Sequence, residues 1–314
     1  MKIVMLDRNS IGNDIDLSYY NNLGEVVTYG FTADDQIARR CADADVIVLN
    51  KQNINEETLK GVKNLKLVCV TATGINNLDT GYLDAAGIAW RNVAGYSTDV
   101  VAQHTFALLF YLLEHLPYYD EYVKSEKYVN DSGFTHFANT FHELSGKTWG
   151  IIGMGNIGKR VAGIARAFGC RVIYYSTSGR NTAAGYECVS FESLLERSDI
   201  VSVHAPLNEN TLNLMDMAAF KKMKKSAIFI NVGRGPVVVE ADLADALETG
   251  EISAAGIDVL CKEPMAPENP LRRIKDSEKL IITPHIAWAG VEARQRLMRM
   301  VYDNIADFFK EKRP

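Results

Sequence analysis

The hexapeptide Gly153-Met154-Gly155-Asn156-Ile157-Gly158 constrains this chain more than any other feature. It lies between an apolar run, Trp149-Gly150-Ile151-Ile152, and a helix-patterned stretch over 159–168. A G-x-G-x-x-G sequence has mechanical meaning in that context, where a strand ends, the chain turns and a helix opens. The first glycine makes the tight turn. The second lets a pyrophosphate approach the backbone, and the third lets helix and strand pack closely. The helix N-terminus then offers unpaired N–H groups to the phosphates. A βα turn without a ligand can carry the same glycines, so the surrounding pattern has to decide.

That pattern is an alternation of short β-branched runs with amphipathic stretches, the mark of parallel sheets covered by helices. The runs 148–152, 171–175, 200–204, 227–231, 254–258 and 279–283 predict strands. Helical stretches at 157–168, 190–197, 215–223 and 239–248 separate them, the last closed by Gly250. Strands in this order fit a dinucleotide-binding fold. An earlier series at 2–6, 25–29, 46–49, 67–70 and 89–92 predicts a smaller doubly wound unit. Its helical stretches include 32–41 and 55–59, the latter opened by Asn55 as N-cap. Between the two series, 98 to about 127 reads as one long helix with the stripe Val101, Thr105, Leu108, Leu112, broken or kinked at Pro117. The tail over 291–309 is amphipathic and is expected to return to the first lobe.

The expected fold class is therefore α/β, with two doubly wound parallel-sheet domains. A Rossmann dinucleotide-binding domain at 99–285 is inserted in a flavodoxin-like substrate domain built from 1–98 and 286–314. A length of 314 residues agrees with about two domains.

Composition excludes other classes. With 47% hydrophobic residues the chain has ample material for a core, so it is not a disordered protein. Its 34 basic and 39 acidic residues leave a net charge of −5, which argues against a nucleic-acid partner. Cys41, Cys69, Cys170, Cys188 and Cys261 are odd in number, form no C-x-x-C pair and mostly sit in apolar runs. They read as buried free thiols in a reducing compartment, with no disulfide framework and no metal site. Asp7 comes too early for a signal-peptide core, and the apolar stretch 100–116 is too short and too polar to span a bilayer. A cytoplasmic protein without a membrane partner is expected.

A carboxylate that binds the ribose hydroxyls is expected about 20 residues beyond the glycine loop. The strand 171–175 instead ends in Ser176-Thr177-Ser178-Gly179-Arg180. Hydroxyls and a guanidinium suit a 2′-phosphate, so NADP is expected to be tolerated or preferred. Arg180 has an equally ordinary reading as a solvated loop charge.

Three residues follow late strands: Arg234 after 227–231, Glu263 beyond 254–258 and His285 after 279–283. Ligands of open α/β sheets bind at those strand ends. Reduction of a 2-oxo acid leaves charge on the carbonyl oxygen, which a protonated His285 can neutralise as general acid. Glu263 would hold the imidazole and favour its charged form. Arg234 can bind the substrate carboxylate and polarise the carbonyl. Taken singly, each is as readily a surface charge, a loop acid or a structural histidine.

Together with the rest of the chain they are more specific. The ordered stretches are Thr71-Ala72-Thr73-Gly74-Ile75-Asn76-Asn77-Leu78-Asp79, Asn92-Val93-Ala94-Gly95-Tyr96-Ser97-Thr98, the glycine loop and Ser198-Asp199-Ile200-Val201-Ser202-Val203-His204-Ala205-Pro206-Leu207. Asn231-Val232-Gly233-Arg234-Gly235, Gly256-Ile257-Asp258-Val259, Glu263-Pro264 and Thr283-Pro284-His285 follow. Over nearly its whole length the chain resembles the D-isomer-specific 2-hydroxyacid dehydrogenase family. The segments 95–99 and 285–289 are similar to its glycerate dehydrogenase (hydroxypyruvate and glyoxylate reductase) branch.

The resemblance implies that Arg234, Glu263 and His285 carry the chemistry and that N–H groups near Thr73, Gly74 and Ile75 hold the substrate carboxylate. It implies cofactor contacts from Thr105 and from the loop Gly153, Gly155, Asn156, Ile157 and Gly158, while Ser176, Thr177 and Arg180 are expected contacts by their place after the strand, Ser176 departing from the family's usual Asp. Further contacts are implied from His204, Ala205, Pro206, Thr211, Val232, Gly233, Asp258 and His285. Trp288 either caps the substrate pocket or packs at an interface. The implied partners are NAD(P)H, a small 2-oxo or 2-hydroxy acid and a second copy of the chain, with no metal. Two alternatives stay open: a reductase of larger branched or aryl 2-oxo acids, and a nucleotide-sensing corepressor-like binding protein.

Overall fold

Runs of Val, Ile and Leu without polar alternation become central strands, because a parallel strand flanked by helices is covered on both faces. The computed structural model describes residues 1–180 and 182–311. The chain divides into two units, Met1–Ser97 with Ala289–Pro314, and Thr98–Trp288. Residues 98 and 286–288 thus go with the second unit. Residues 312–314, the end of the expected 286–314 segment, lie outside the described residues.

The first unit holds β1 (Lys2–Met5), β2 (Glu25–Thr28), β3 (Val46–Leu49), β4 (Leu67–Val70) and β5 (Ala89–Arg91). They form one sheet in the order β2-β1-β3-β4-β5, parallel throughout. This is the flavodoxin-like order. Val46–Leu49 and Leu67–Val70 are buried at every position. The expected helix over 32–41 is shorter, a 3-10 turn at Asp34–Gln36 running into α1 (Ile37–Arg40). The chain leaves the helix at once because Asp45 exchanges hydrogen bonds with the main chain of Lys2 and must enter β3. The expected helix at 55–59 is a single turn. Asn55 does cap it, accepting from the Thr58 N–H at 2.9 Å, but Gly61 at φ +88 ends it. The first unit also contains α2 (Thr80–Ala85).

The second unit opens with α3 (Thr98–Leu113) and α4 (Leu116–Lys124). The break lies at His115, whose φ is +51, and not at Pro117. Pro117 sits in the first turn of α4, where its missing N–H costs nothing, whereas in an unbroken helix its ring would clash with the carbonyl of Leu113. The strands are β6 (Thr148–Ile152), β7 (Arg171–Tyr175), β8 (Glu187–Cys188), β9 (Ile200–Val203), β10 (Ile228–Asn231), β11 (Ala254–Ile257) and β12 (Leu280–Ile282). Their order is β12-β11-β10-β9-β6-β7-β8, parallel at every pairing. The two-residue edge strand β8 was not expected. Both its residues are exposed, so it carries no apolar signal.

Connecting helices are α5 (Asn156–Ala167), α6 (Phe191–Arg197), α7 (Met217–Lys222) and α8 (Glu240–Thr249). The helix expected from 215 starts later because Met215 pairs with Val238 and the Asp216 side chain caps the Ala219 N–H. Gly250, at φ +73, closes α8 in the left-handed conformation. The core of this unit is built on residues such as Trp149, Phe220 and Phe229, all fully buried. The last helix, α9 (Val291–Glu311), belongs to the first unit. Tyr20 ties to it by donating to the Met298 carbonyl at 2.6 Å.

Cys41, Cys69 and Cys170 are buried free thiols, but Cys188 and Cys261 are exposed. Cys188 lies on the edge strand, and Cys261 lies in the loop beyond β11. Among the described residues no helix is long and apolar enough to cross a membrane.

Candidate active site

In the second unit β6 and β9 are neighbours, and from them the chain winds to opposite edges of the sheet. A crevice at the carboxyl ends is the expected ligand site at such a switch point. The glycine loop leaves β6 there. Gly153, at φ +93, faces the His204–Ala205 backbone so closely that a Cβ would lie 2.7 Å from the Ala205 nitrogen. A Cβ on Gly158 would collide with the Gly153 carbonyl. A Cβ on Gly155 would meet nothing within 4 Å. Two glycines thus close the turn and the middle one faces open space. No side chain caps α5, so the N–H groups of its first turn, from Asn156, Ile157 and Gly158, are unspent.

Ser176 follows β7, and its Oγ is shut off from solvent without a hydrogen-bond partner. Thr177 is half-buried, and Arg180 is exposed with no ion pair among the described residues. His204 follows β9. Its Nε2 lies 3.0 Å from Ser202 Oγ and its buried Nδ1 has no partner. An open cradle, unspent N–H groups and orphaned polar atoms at the ends of β7 and β9 fit a dinucleotide. Thr105 is fully buried and donates to the Val101 carbonyl of its own helix. Thr211 donates to the Pro206 carbonyl at 2.7 Å and holds that loop in shape.

The three residues singled out for chemistry stand beyond β10, β11 and β12, which are adjacent in the sheet. His285 Nδ1 lies 2.7 Å from Glu263 Oε2. The other oxygen of Glu263 accepts from the Leu260 N–H at 3.0 Å. Leu260 in turn packs against Gly235, where a Cβ would collide with the Leu260 carbonyl carbon. One chain of contacts therefore runs from the Arg234 loop to the His285 ring. Arg234 is half-buried, and no carboxylate lies within 4 Å of it among the described residues. Its Nη1 donates only to the neighbouring Gly233 carbonyl. A half-buried guanidinium without a counterion is a ready receptor for an anion. Trp288 is half-buried against the apolar cluster that includes Ala287 and Leu108.

Sequence reasoning missed two residues that build this geometry. Asn231 is fully buried; its side chain accepts from the Gly233 N–H and donates to the Arg234 carbonyl, both at 3.0 Å. Its signal was a fully polar residue ending an apolar strand. Thr283 donates to Asp258 Oδ1 at 2.6 Å, a pairing across 25 positions that leaves no local trace. Asp258, only 1% exposed, also accepts from the N–H groups of Ile286 and Ala287 at 2.9 Å.

In the first unit, the loop after β4 is fixed by Asn77, which donates to the carbonyls of Asn50 and Gln52 at 3.1 and 2.8 Å. Thr73 Oγ1 donates to the Val93 carbonyl at 3.0 Å. The N–H groups of Thr73, Gly74 and Ile75 donate to no group among the described residues.

Parallel seven-stranded topology, a glycine turn at the switch point and a His–Glu pair at neighbouring strand ends together define a nicotinamide-dinucleotide oxidoreductase. Residues 106–287 match the model of the D-isomer specific 2-hydroxyacid dehydrogenase, NAD binding domain. The hydroxypyruvate reductase of Blautia hydrogenotrophica is 35% identical over 316 residues, covering 99% of this chain and 97% of that one. The glycerate dehydrogenase of Methylorubrum extorquens is 35% identical over 308 residues, covering 98% and 96%. Among solved structures, an acyclic imino acid reductase in complex with NADPH and D-Arg superposes with a TM-score of 0.86 at 28% identity, covering 99% of this chain and 98% of that chain. The chain belongs to the D-isomer-specific 2-hydroxyacid dehydrogenase family.

The His204 site predicts a pH effect on stability. Burial pushes its imidazole from the ordinary 6.5 down to about 3. Between those values the unfolded chain binds a proton there and the folded chain does not. Its contribution is therefore whole above pH about 6.5 and is lost as pH falls toward about 3. Relative to His204→Gln, wild type should lose up to about 1.4 kcal/mol per pH unit across that window. Urea unfolding at pH 7, 6, 5 and 4 reads the difference, and a pH-independent difference contradicts a neutral buried ring.

Proposed function

We propose that this protein reduces hydroxypyruvate to D-glycerate, or glyoxylate to glycolate, reversibly, as a D-glycerate dehydrogenase. The His285–Glu263 pair at 2.7 Å, on strand ends next to an unpaired Arg234, carries this reading. The names of the Blautia and Methylorubrum relatives support its substrate.

When bound, a reduced nicotinamide supplies the hydride. The glycine loop, Ser176, Thr177, Arg180, His204, Ala205, Pro206, Thr211, Val232, Gly233 and Asp258 are the residues assigned to hold it. Thr105, fully buried with its hydroxyl on the Val101 carbonyl, is assigned with them by the family resemblance. Arg234 anchors the substrate carboxylate and polarises the 2-oxo group with its fork of donors. In the first unit, the N–H groups of Thr73, Gly74 and Ile75 are assigned to substrate binding by the family resemblance. His285 delivers the proton that the carbonyl oxygen takes up, from Nε2, since Nδ1 is engaged by Glu263. Glu263 fixes the ring's orientation by accepting from Nδ1. Trp288 limits the size of the group at C3.

His285→Ala should lower kcat for hydroxypyruvate by about a hundredfold or more while the dissociation constant of the reduced cofactor stays within about twofold. Steady-state kinetics beside fluorescence titration reads both. A variant within about tenfold of wild-type kcat removes His285 from the acid–base role.

The site also supports use of NADP. No carboxylate stands among residues 176–180 to repel a 2′-phosphate, and Ser176, Thr177 and Arg180 offer donors. One charge-assisted bond is worth about a tenfold to hundredfold in binding. We expect kcat/KM for NADPH to equal or exceed that for NADH. A preference for NADH of about a hundredfold overturns this.

A second copy of the chain is the partner that its surface fits. Phe134 and Phe137 are each 90% exposed, close in sequence to exposed Val129 and Phe141. Such a patch on one segment marks an interface. Sedimentation equilibrium should give a dimer that Phe137→Asp dissociates; a fully active wild-type monomer contradicts it. Free thiols fit a cytoplasmic setting.

A further inference from the structure

His285 carries the proposed chemistry from a backbone conformation that L side chains rarely adopt, φ +55. The surrounding structure must therefore hold it there. The holding group is Asp258. Its carbonyl accepts from the His285 N–H at 2.9 Å, and its carboxylate accepts from Thr283 Oγ1, Ile286 N and Ala287 N. Three links from residues 283–287 thus converge on one buried carboxylate, and a fourth reaches the carbonyl of the same residue.

A further residue stands behind this one. His104, on α3, places Nε2 at 2.9 Å from Thr283 Oγ1 and 3.6 Å from Asp258 Oδ1. The donor arithmetic settles the direction. Thr283 has one hydroxyl proton, and a carboxylate 2.6 Å away can only accept it. The Thr283 oxygen must then accept from His104, so the imidazole carries its proton on Nε2. Burial holds this ring below the ordinary histidine range, against the opposing pull of the Asp258 carboxylate. A neutral ring has one N–H, and this contact uses it. In the same position, no Lys or Arg lies within 4 Å of the Asp258 carboxylate among the described residues.

We propose that His104 is a positioning residue for the proton-transferring imidazole: acting through Thr283 and Asp258, it fixes the 283–287 turn that holds His285 against Glu263. It touches neither substrate nor cofactor in this role. The inference rests on the assignment of His285 above, and it adds a residue on a different element, 181 positions away in the chain.

The test uses His104→Phe, which keeps a ring but no donor, and His104→Gln, whose amide can reach where Nε2 stands. In His104→Phe, kcat for hydroxypyruvate should fall about ten- to a hundredfold, with KM and the NADPH dissociation constant within about twofold. His104→Gln should recover most of the loss. Thr283→Val should reproduce the loss, and the double variant should be no worse than Thr283→Val alone, since both cut one chain. Amide hydrogen exchange gives a readout without turnover. The Ile286 and Ala287 N–H groups should exchange about tenfold faster in His104→Phe than in wild type while the β6 and β9 amides stay unchanged. Unchanged exchange at those two amides overturns the proposal, as does a Gln variant no better than Phe or additive losses in the double variant. If His104→Phe does not fold, Thr283→Val alone decides by the same exchange measurement. A wild-type protein that reduces no 2-oxo acid would instead overturn the proposed function, and the exchange result would still judge the clamp.

Discussion

The second unit depends on how one buried carboxylate is satisfied. Asp258 stands where β11 ends, almost wholly out of water, and a carboxylate so placed must find donors. It finds them in the segment after β12, from one hydroxyl and two backbone N–H groups. The consequence reaches beyond local satisfaction. These bonds bring residues 283–287 back over the strand ends and put the His285 ring beside Glu263. Remove the carboxylate and the turn loses its centre, leaving donors buried and unpaired, the costly half of a broken hydrogen bond.

The glycine loop obeys a steric version of the same logic. Gly153 and Gly158 are required because backbone stands where a side chain would be, the Ala205 nitrogen in one case and the Gly153 carbonyl in the other. Gly155 differs, since a Cβ there would meet nothing within 4 Å and the space stays open beside unspent N–H groups. The close approach of β6 and β9 creates both conditions. Topology therefore supplies the open turn with its unspent N–H groups, and the side chains at the ends of β7, β9 and β10 flank it.

Charge is distributed to match. Arg234 is half-buried without a counterion among the described residues, whereas more exposed arginines such as Arg197 and Arg273 are paired with carboxylates. His204 is kept neutral by burial, and His285 is kept beside a carboxylate. Two histidines a few strands apart thus have opposite electrostatic surroundings.

The class of fold, both series of parallel strands apart from the exposed β8, and the glycine turn were legible in the sequence, because each is written in local apolar runs and in residues a few positions apart. The sequence also pointed to Arg234, Glu263 and His285, since each follows a legible strand. What failed was local in appearance only. The turn at 55–61 carries a good N-cap yet does not propagate past Gly61, and the long helix breaks at His115 under the influence of a proline two residues on. Only the tertiary structure decided that Asn231 shapes the Arg234 loop, that Asp258 gathers the 283–287 turn, and that His104 stands behind Thr283. Those pairings join donors and acceptors whose separation in sequence bears no relation to periodicity, so hydrogen-bond satisfaction in the folded interior is what selects them.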